Sequence, residues 1–564
     1  MKLKRILAMS FAASALVFTS CSNDELEGGD LNPAESGKGY ISVSFTTNTN
    51  SSRAVDDTNN GDKDGNADDS GHHMAGTEDE NKVNSVLIYG IGKNNDAHNF
   101  SVYYDNLSAT GTDKPVTVSG QTLTSKAMEV EIDEYEVNVI VNPSTQVLNK
   151  SPKEIKDYVF SGAVDNEAAI DAVTKSSGAS KRDNFMMAGK KAETIEVTEA
   201  NSTEATAANN DNHAVEVERV VAKIAIRSIT PEGGAVNVYP VKVTVKSYNE
   251  ETKATTVTES TWYMKLEKYA LVNLSKQNYA VRHTTNDNFA TVTAANGAIA
   301  TGDNAYLVDP QSITKNSLTI NDAFNGGTYF FNSLYDLTDA TFNNDVTKLG
   351  TFFSTMPDGT KNESGTVNSA HGTIDYIGTP VSYAFENAVT AAKQVIGLST
   401  GIVFQAQIYE DKECTKSLTS DLYKYAGNYY TDLMSLSTAY KDDPVYGLNE
   451  DDSTDPVTYT SKLEGKTNAE LELLGISRYK GGVCYYYTSQ IKHFDNNDNT
   501  SMGNMEFAIM RNNIYSIAVE SISEIGASSL KPYKPGDKDE EPKTYIKVKA
   551  TILPWIVRFN NIKF

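Results

Sequence analysis

Period-2 alternation constrains this chain more than any other feature. Ile41, Val43 and Phe45 fall on one face of an extended segment, and Ser42 and Ser44 fall on the other. That is the pattern of a half-buried β-strand. The same period returns at Met128-Val130-Ile132, in EVNVIVNP (136–143), across VNVYPVKVTVKSY (236–248) and at Ile546-Val548-Ala550-Ile552. A repeat of two cannot share one face of a helix, where the repeat is 3.6. Tyr, Thr, Val, Ser and Asn are abundant and long helical patterns are rare. The chain therefore reads as mostly β, with a few short helices.

Further strands are expected at 81–91, 102–107, 382–389, 401–410 and 482–494, with two strand-like runs around Arg511-Asn512-Asn513. The apolar run within VEVERVVAKIAIRSI (215–229) reads as one long central strand. Short helices are expected near 152–159, 167–173, 426–440 and 468–474. At 564 residues the chain has room for two to four domains.

The strand at 41–45 is joined to the rest of the chain by a polar tether. Seven Thr, Asn and Ser residues, Thr46 to Ser52, lead to Arg53, and no other arginine lies between Arg5 and Arg182. Beyond Ala54 the chain is acidic and nearly devoid of apolar residues up to Asn81, the composition of a flexible leader. Asp62, Asp64, Asn66 and Asp68 have calcium-loop spacing, but Ala67 stands where such a loop needs glycine and His73 where it needs Glu. A solvated leader exposes Arg53 to proteases. Ile41, Val43 and Phe45 thus read as a placeholder strand. It completes the precursor, is released by cleavage between Arg53 and Ala54, and leaves a groove for a strand from another molecule.

The first residues, MKLKRILAMSFAASALVFTSC, carry a basic start (Lys2, Lys4, Arg5) and an apolar run too short for a membrane span. The run ends in small residues and Cys21. This looks like a bacterial lipoprotein signal with Cys21 as the lipidated residue, and the acidic run after it resembles a surface-export signal. The lipid on the precursor would tie it to the outer membrane.

Net charge is −24 with a pI near 4.8, which leaves no basic face for nucleic acid. Cys414 and Cys484 are the only other thiols. They could pair, but their spacing does not show it, and they form no zinc or redox motif. The seven histidines fall in no catalytic motif. His493, near Asp495 and Asp498, reads as part of an exposed turn more readily than as a metal ligand. No catalytic residue, cofactor or metal site is expected, and the chain does not read as an enzyme. A glycan-binding surface lipoprotein is the other class the composition leaves open.

The far end is unusual. Pro554 argues against an unbroken central strand, yet WIVRFNNIKF after it stays apolar and β-prone. Such an edge needs a partner. Trp555, Val557 and Phe559, or else Ile556, Ile562 and Phe564, are the residues expected to plug a neighbour's groove.

Together these pieces resemble the major fimbrial subunit (fimbrillin) family of Bacteroidales, which builds type V pili. Cys21, Arg53 after the first strand, EVNVIVNP, NFMMAG, VERVVAKIAI, YAFENAV, MRNNIYSIAVESI and VKATILPW carry the resemblance. It implies two tandem transthyretin-like β-sandwich domains and an outer-membrane lipoprotein precursor. It also implies cleavage by an Arg-specific protease, then head-to-tail assembly by donor-strand exchange into a cell-surface fimbrium serving adhesion and biofilm formation. Identical or related fimbrial subunits would be the main partners, and a host or bacterial surface receptor a further class. A tip or accessory subunit is the related alternative. The expected divisions are 1–20 signal peptide, 21–53 propeptide with the placeholder, 54–81 leader, 82–283 N-terminal domain, 284–553 C-terminal domain and 554–564 donor strand.

Overall fold

A computed structural model describes residues 37–47, 74–107, 114–249, 251–284, 307–312, 315, 328–334, 352–361, 363–369, 372–389, 391–440, 456–489, 491–493, 502, 505–530, 536–539 and 545–556. The chain is mostly β. In the first half the strands are β1 (Lys38–Ser42), β2 (Ser44–Thr47), β3 (Met74–Ala75), β4 (Val86–Gly92), β5 (Phe100–Tyr104), β6 (Val116–Ser119), β7 (Thr122–Ser125), β8 (Met128–Glu131) and β9 (Glu134–Val141). Then come β10 (Met187–Gly189), β11 (Ala208–Asn209), β12 (Val215–Arg219), β13 (Ala222–Ile226), β14 (Val238–Asn249) and β15 (Ala254–Val272). The second half adds β16 (Glu363–Ser369), β17 (Gly372–Ala384), β18 (Gly401–Tyr409), β19 (Val483–Thr488), β20 (Asn513–Ile522) and β21 (Ile546–Ile556).

A nine-stranded sheet runs β5-β4-β9-β10-β12-β2-β7-β6, with the strand Glu193–Glu196 also on β9. A three-stranded sheet runs β11-β1-β8. A six-stranded sheet runs β16-β17-β13-β20-β21-β3, and an eight-stranded sheet contains β14-β15-β18-β19 in that order. Inward residues of these strands form one large apolar core that includes Ile41, Phe45, Val139, Val217, Ile224, Phe404 and Ile517.

Local sequence explains the ends of the elements. β9 stops at Asn142, which takes the left-handed conformation (φ 52°) that asparagine tolerates. Its side chain then accepts from the Asn84 N–H at 2.7 Å and donates to the Phe185 carbonyl at 3.0 Å. The helix Pro152–Lys156 begins with proline behind a Ser151–Glu154 capping box. The helix Asn166–Thr174 starts on Asp165, whose carboxylate accepts from the Ala168 N–H.

Several expectations change. The run at 215–229 is two strands in two sheets: β12 ends at Arg219 and β13 starts at Ala222. Both are buried, and periodicity cannot separate two buried strands in series from one long strand. Sheet membership changes at Val220–Val221, and β13, β14 and β15 all pair with strands from the second half. The helix expected over 426–440 forms only at Leu433–Tyr440, since Asn428–Tyr430 is a strand. Of the two runs around Arg511, one is a strand (β20), and Ile509 makes only an isolated bridge with Asn387. His493 is not on an exposed turn; it is buried, with Nδ1 2.9 Å from the Tyr515 hydroxyl. Asp495, Asp498 and the calcium-like segment lie outside the described residues. Cys414 and Cys484 are both free, the latter buried.

Candidate functional site

β1 and β2 form one passage that crosses from one sheet to another, with a parallel and an antiparallel neighbour in each. In β1, Ile41 lies opposite Ala208 in parallel β11 and opposite Met128 in antiparallel β8. In β2, Phe45 lies opposite Val215 in parallel β12 and Leu123 in antiparallel β7. Ile41, Val43 and Phe45 are all 0% exposed. Burying each contributes roughly 1.5–3 kcal/mol, so together they rival a domain's net stability of ~5–15 kcal/mol.

The switch between sheets falls at Val43, and side chains take over the hydrogen bonding there. The Val43 N–H donates to Ser125 Oγ and the Ser125 N–H donates to the Val43 carbonyl, both at 2.9 Å. Ser42 Oγ donates to the Ser125 carbonyl at 2.9 Å. One residue on, the Ser44 N–H donates to Asn210 Oδ1 at 2.7 Å, and Asn210 Nδ2 donates back to the Ser44 carbonyl at 2.9 Å. Ser44 Oγ donates to Asp211 Oδ1 at 2.7 Å and sits 2.8 Å from Thr124 Oγ1. The start of the passage is closely fitted: a Cβ on Gly39 would stand 2.6 Å from Val197 Cγ1.

The alternation of 41–45 is visible in sequence, but Ser125, Thr124, Asn210 and Asp211 are not. They lie 80 to 167 residues from their partners, and no local pattern marks a serine or asparagine that will grip a distant backbone. The one usable signal was Ser44 itself, a hydroxyl between two apolar residues of a buried strand.

A second set of groups ties the two halves where the chain changes sheets. Lys223 donates to Glu80 Oε1 at 2.7 Å and pairs with Glu363, and the Tyr383 hydroxyl donates to Glu80 Oε1 at 2.7 Å. Arg219 Nε donates to the Glu80 carbonyl at 3.2 Å, and the Arg219 guanidinium bonds to Asn81. Burial alone would push the Glu80 carboxyl up, but Lys223 and Arg219 outweigh it and hold it below the usual range. Farther along, Arg511 grips Glu386 with Nε–Oε1 at 2.6 Å and Nη2–Oε2 at 2.7 Å, and Arg282 pairs with Glu218. Lys315 meets Asp309 and Asn387 at 2.7 and 2.8 Å. These acids have basic partners and act as cross-links between strands and loops. Among the described residues, no group of three or more His, Cys, Asp or Glu is placed to hold a metal ion. Nor is any described helix long and apolar enough to cross a membrane.

β21 runs antiparallel to β20, from Ile546 opposite Ile522 to Pro554 opposite Asn513. The strand continues through Pro554, where a break was expected. Pro554 faces the first residue of β20, where that ladder stops, and Trp555 and Ile556 then pair in parallel with Met74 and Ala75 of β3. A proline is tolerated where one ladder ends and the next begins. Cys21, Arg53, Ala54, Val557, Phe559, Ile562 and Phe564 lie outside the described residues, as do the side chains of Trp555 and Ile556.

Among the described residues this is a multi-sheet β protein with an enclosed first strand and a β-rich C-terminal segment. Residues 477–561, which include β19, β20 and β21, match the family model of the major fimbrial subunit protein type IV, fimbrillin, C-terminal. The match is confined to this C-terminal segment, about 15% of the chain. No curated protein matches the chain. Among solved structures, a candidate cell adhesion protein of Parabacteroides distasonis is similar at 11% identity, covering 94% of this chain and 100% of that one, with a TM-score of 0.39. A fimbrilin of Porphyromonas gingivalis is similar at 12% identity over 92% and 98% of the two chains, with a TM-score of 0.35. A tip fimbrial protein of Porphyromonas gingivalis with a C-terminal truncation is similar at 8% identity over 92% and 100%, with a TM-score of 0.34.

Proposed function

We propose that this chain is a polymerising subunit of a surface fimbria. Its precursor is lipidated at Cys21 and held at the outer membrane, and an Arg-specific protease matures it by cutting between Arg53 and Ala54. It then assembles head-to-tail by donor-strand exchange, with residues 554–564 of one copy entering the groove left by the placeholder in the next. The unit has no catalytic role; it contributes to adhesion through the filament it builds. Two tandem β domains carry these functions, 82–283 and 284–553.

The observation that carries the reading is the enclosure of Ile41, Val43 and Phe45, wholly buried between paired strands. Only a polar tether separates this strand from the isolated Arg53. Removing it opens apolar pockets and strips ladder bonds from four strands. A cleaved subunit is therefore unstable alone, and a strand from another copy restores both terms by β-strand addition. Donor and acceptor surfaces differ, so the contact repeats without closing and gives a filament.

N-terminal sequencing and electron microscopy of surface-extracted protein test this directly. Ala54 as first residue, in filaments, is the expected result. An intact lipidated Cys21 with no filaments would sink it and favour a monomeric, glycan-binding surface lipoprotein.

A further inference from the structure

One position in the groove is governed by chemistry and not by burial alone. At Ser44, Asn210 grips the backbone, accepting from its N–H at 2.7 Å and donating to its carbonyl at 2.9 Å. Any residue with an N–H satisfies that clamp; proline does not. Past Asn210 lies Asp211, which is exposed, with its carboxylate 2.7 Å from Ser44 Oγ. The flanking positions, Val43 and Phe45, are apolar and 0% exposed. An occupying strand must therefore offer apolar, donor, apolar in succession, with the donor directed at a carboxylate that opens to solvent. A cation meets that demand more strongly than a hydroxyl, because its hydrogen bond to the carboxylate is charge-assisted.

The tail contains one close match. Trp555, Val557 and Phe559 reproduce the spacing of Ile41, Val43 and Phe45; Arg558 then stands where Ser44 stands, and Asn560 and Asn561 take the places of Thr46 and Thr47. We propose, resting on the donor-strand reading of the chain's function, that the tail of a second copy enters in this register. It runs in the placeholder's own direction, and its Arg558 pairs with Asp211. Asp211 is then the residue that sets register and selects the partner strand.

The competing registers do worse on the same demands. The opposite face of the tail sends Arg558 and Asn560 toward apolar pockets, a costly burial of unpaired polar groups. Sliding the tail so that Leu553, Trp555 and Val557 fill the pockets sets Ile556 against the Asp211 carboxylate. Sliding it the other way places Lys563 on Asp211 but puts Asn560 in the pocket of Ile41.

The test uses full-length precursor carrying Cys414→Ser, cleaved after Arg53, with polymer measured by electron microscopy and size exclusion. Arg558→Glu and Asp211→Arg should each lower polymer yield about tenfold or more, the cost of opposing like charges at a contact. Combining the two in one chain should restore yield to near the parent's, while Lys563→Glu alone should leave it unchanged. Asp211→Cys with Arg558→Cys should give a disulfide between copies, and Asp211→Cys with Lys563→Cys should not. Asp211 variants lose the bond from Ser44 Oγ, which keeps Thr124 Oγ1 at 2.8 Å, so the precursor should still unfold cooperatively with a midpoint only slightly below the parent's. Full polymer yield from Arg558→Glu, or a cross-link through position 563 in place of 558, overturns the register while tail deletion still blocks growth. Long filaments from a chain lacking 555–564 overturn donor-strand exchange itself.

Discussion

Asn210 brackets Ser44 with both ends of its side-chain amide, accepting the Ser44 N–H at 2.7 Å and donating to the Ser44 carbonyl at 2.9 Å. It does with one side chain what a neighbouring strand does with its backbone, at the point where the chain leaves one sheet for another. A strand held there by side-chain clamps has a ladder interrupted at its middle.

That bracket should be measurable. Asn210→Ala leaves the Ser44 N–H and carbonyl buried without these partners, which costs about 1–3 kcal/mol. The urea midpoint of the uncleaved precursor should fall accordingly. An unchanged midpoint would mean that other groups or water satisfy Ser44.

On the proposed maturation, Phe45 belongs to the precursor and not to the mature subunit. Phe45→Ala should destabilise the precursor by about 3–5 kcal/mol through the cavity it leaves. After cleavage at Arg53 the residue is no longer part of the subunit, so polymer stability should equal the parent's. A filament that melts at lower temperature when built from this variant would show that the strand was never replaced.

Glu80 makes the fold acid-sensitive. Its carboxyl titrates lower in the folded chain than unfolded, because Lys223 and Arg219 outweigh its burial. The unfolded chain therefore binds more protons in acid. The stabilisation is complete above the ordinary carboxylate range and is lost as pH falls through the depressed folded value. Urea midpoints of the parent should drop as pH goes from about 5 to 3, and Glu80→Gln should flatten that slope. The same variant should be less stable at neutral pH by about 3–5 kcal/mol, since it breaks a buried ion pair from one side.

Arg511 and Glu386, both wholly buried and doubly hydrogen-bonded, should behave as a unit. Arg511→Met alone strands the Glu386 carboxylate and should cost about 3–5 kcal/mol. Adding Glu386→Leu should recover much of it, so the two changes will be strongly non-additive in a double-mutant cycle. Simple additivity in denaturant unfolding would show that each charge has an independent partner.

Much of the fold was legible because strands announce themselves by alternation. β9, β14, β18 and the passage at 41–45 have one-sided apolar patterns. The short helices at 152–156 and 166–174 have their caps and a proline in sequence. What failed were segments buried on every side. In 215–226 nothing in the pattern marks where β12 ends and β13 begins, and His493 looked like a turn residue because its partner Tyr515 is far along the chain. The two-residue strand at Met74–Ala75 is too short to carry a period.

The amino-acid sequence by itself determined that the chain is mostly β, that an alternating strand lies near its start beside a lone arginine, and that its far end is β-prone. Those properties rest on side-chain period and composition, which act between near neighbours. Only the tertiary structure decided that strand's surroundings: Ala208 and Val215 on one side, Met128 and Leu123 on the other, and Ser125, Asn210 and Asp211 at its centre. Pairing between segments so far apart depends on which buried surfaces and hydrogen-bonding groups fit each other across the whole fold. No local period encodes that fit.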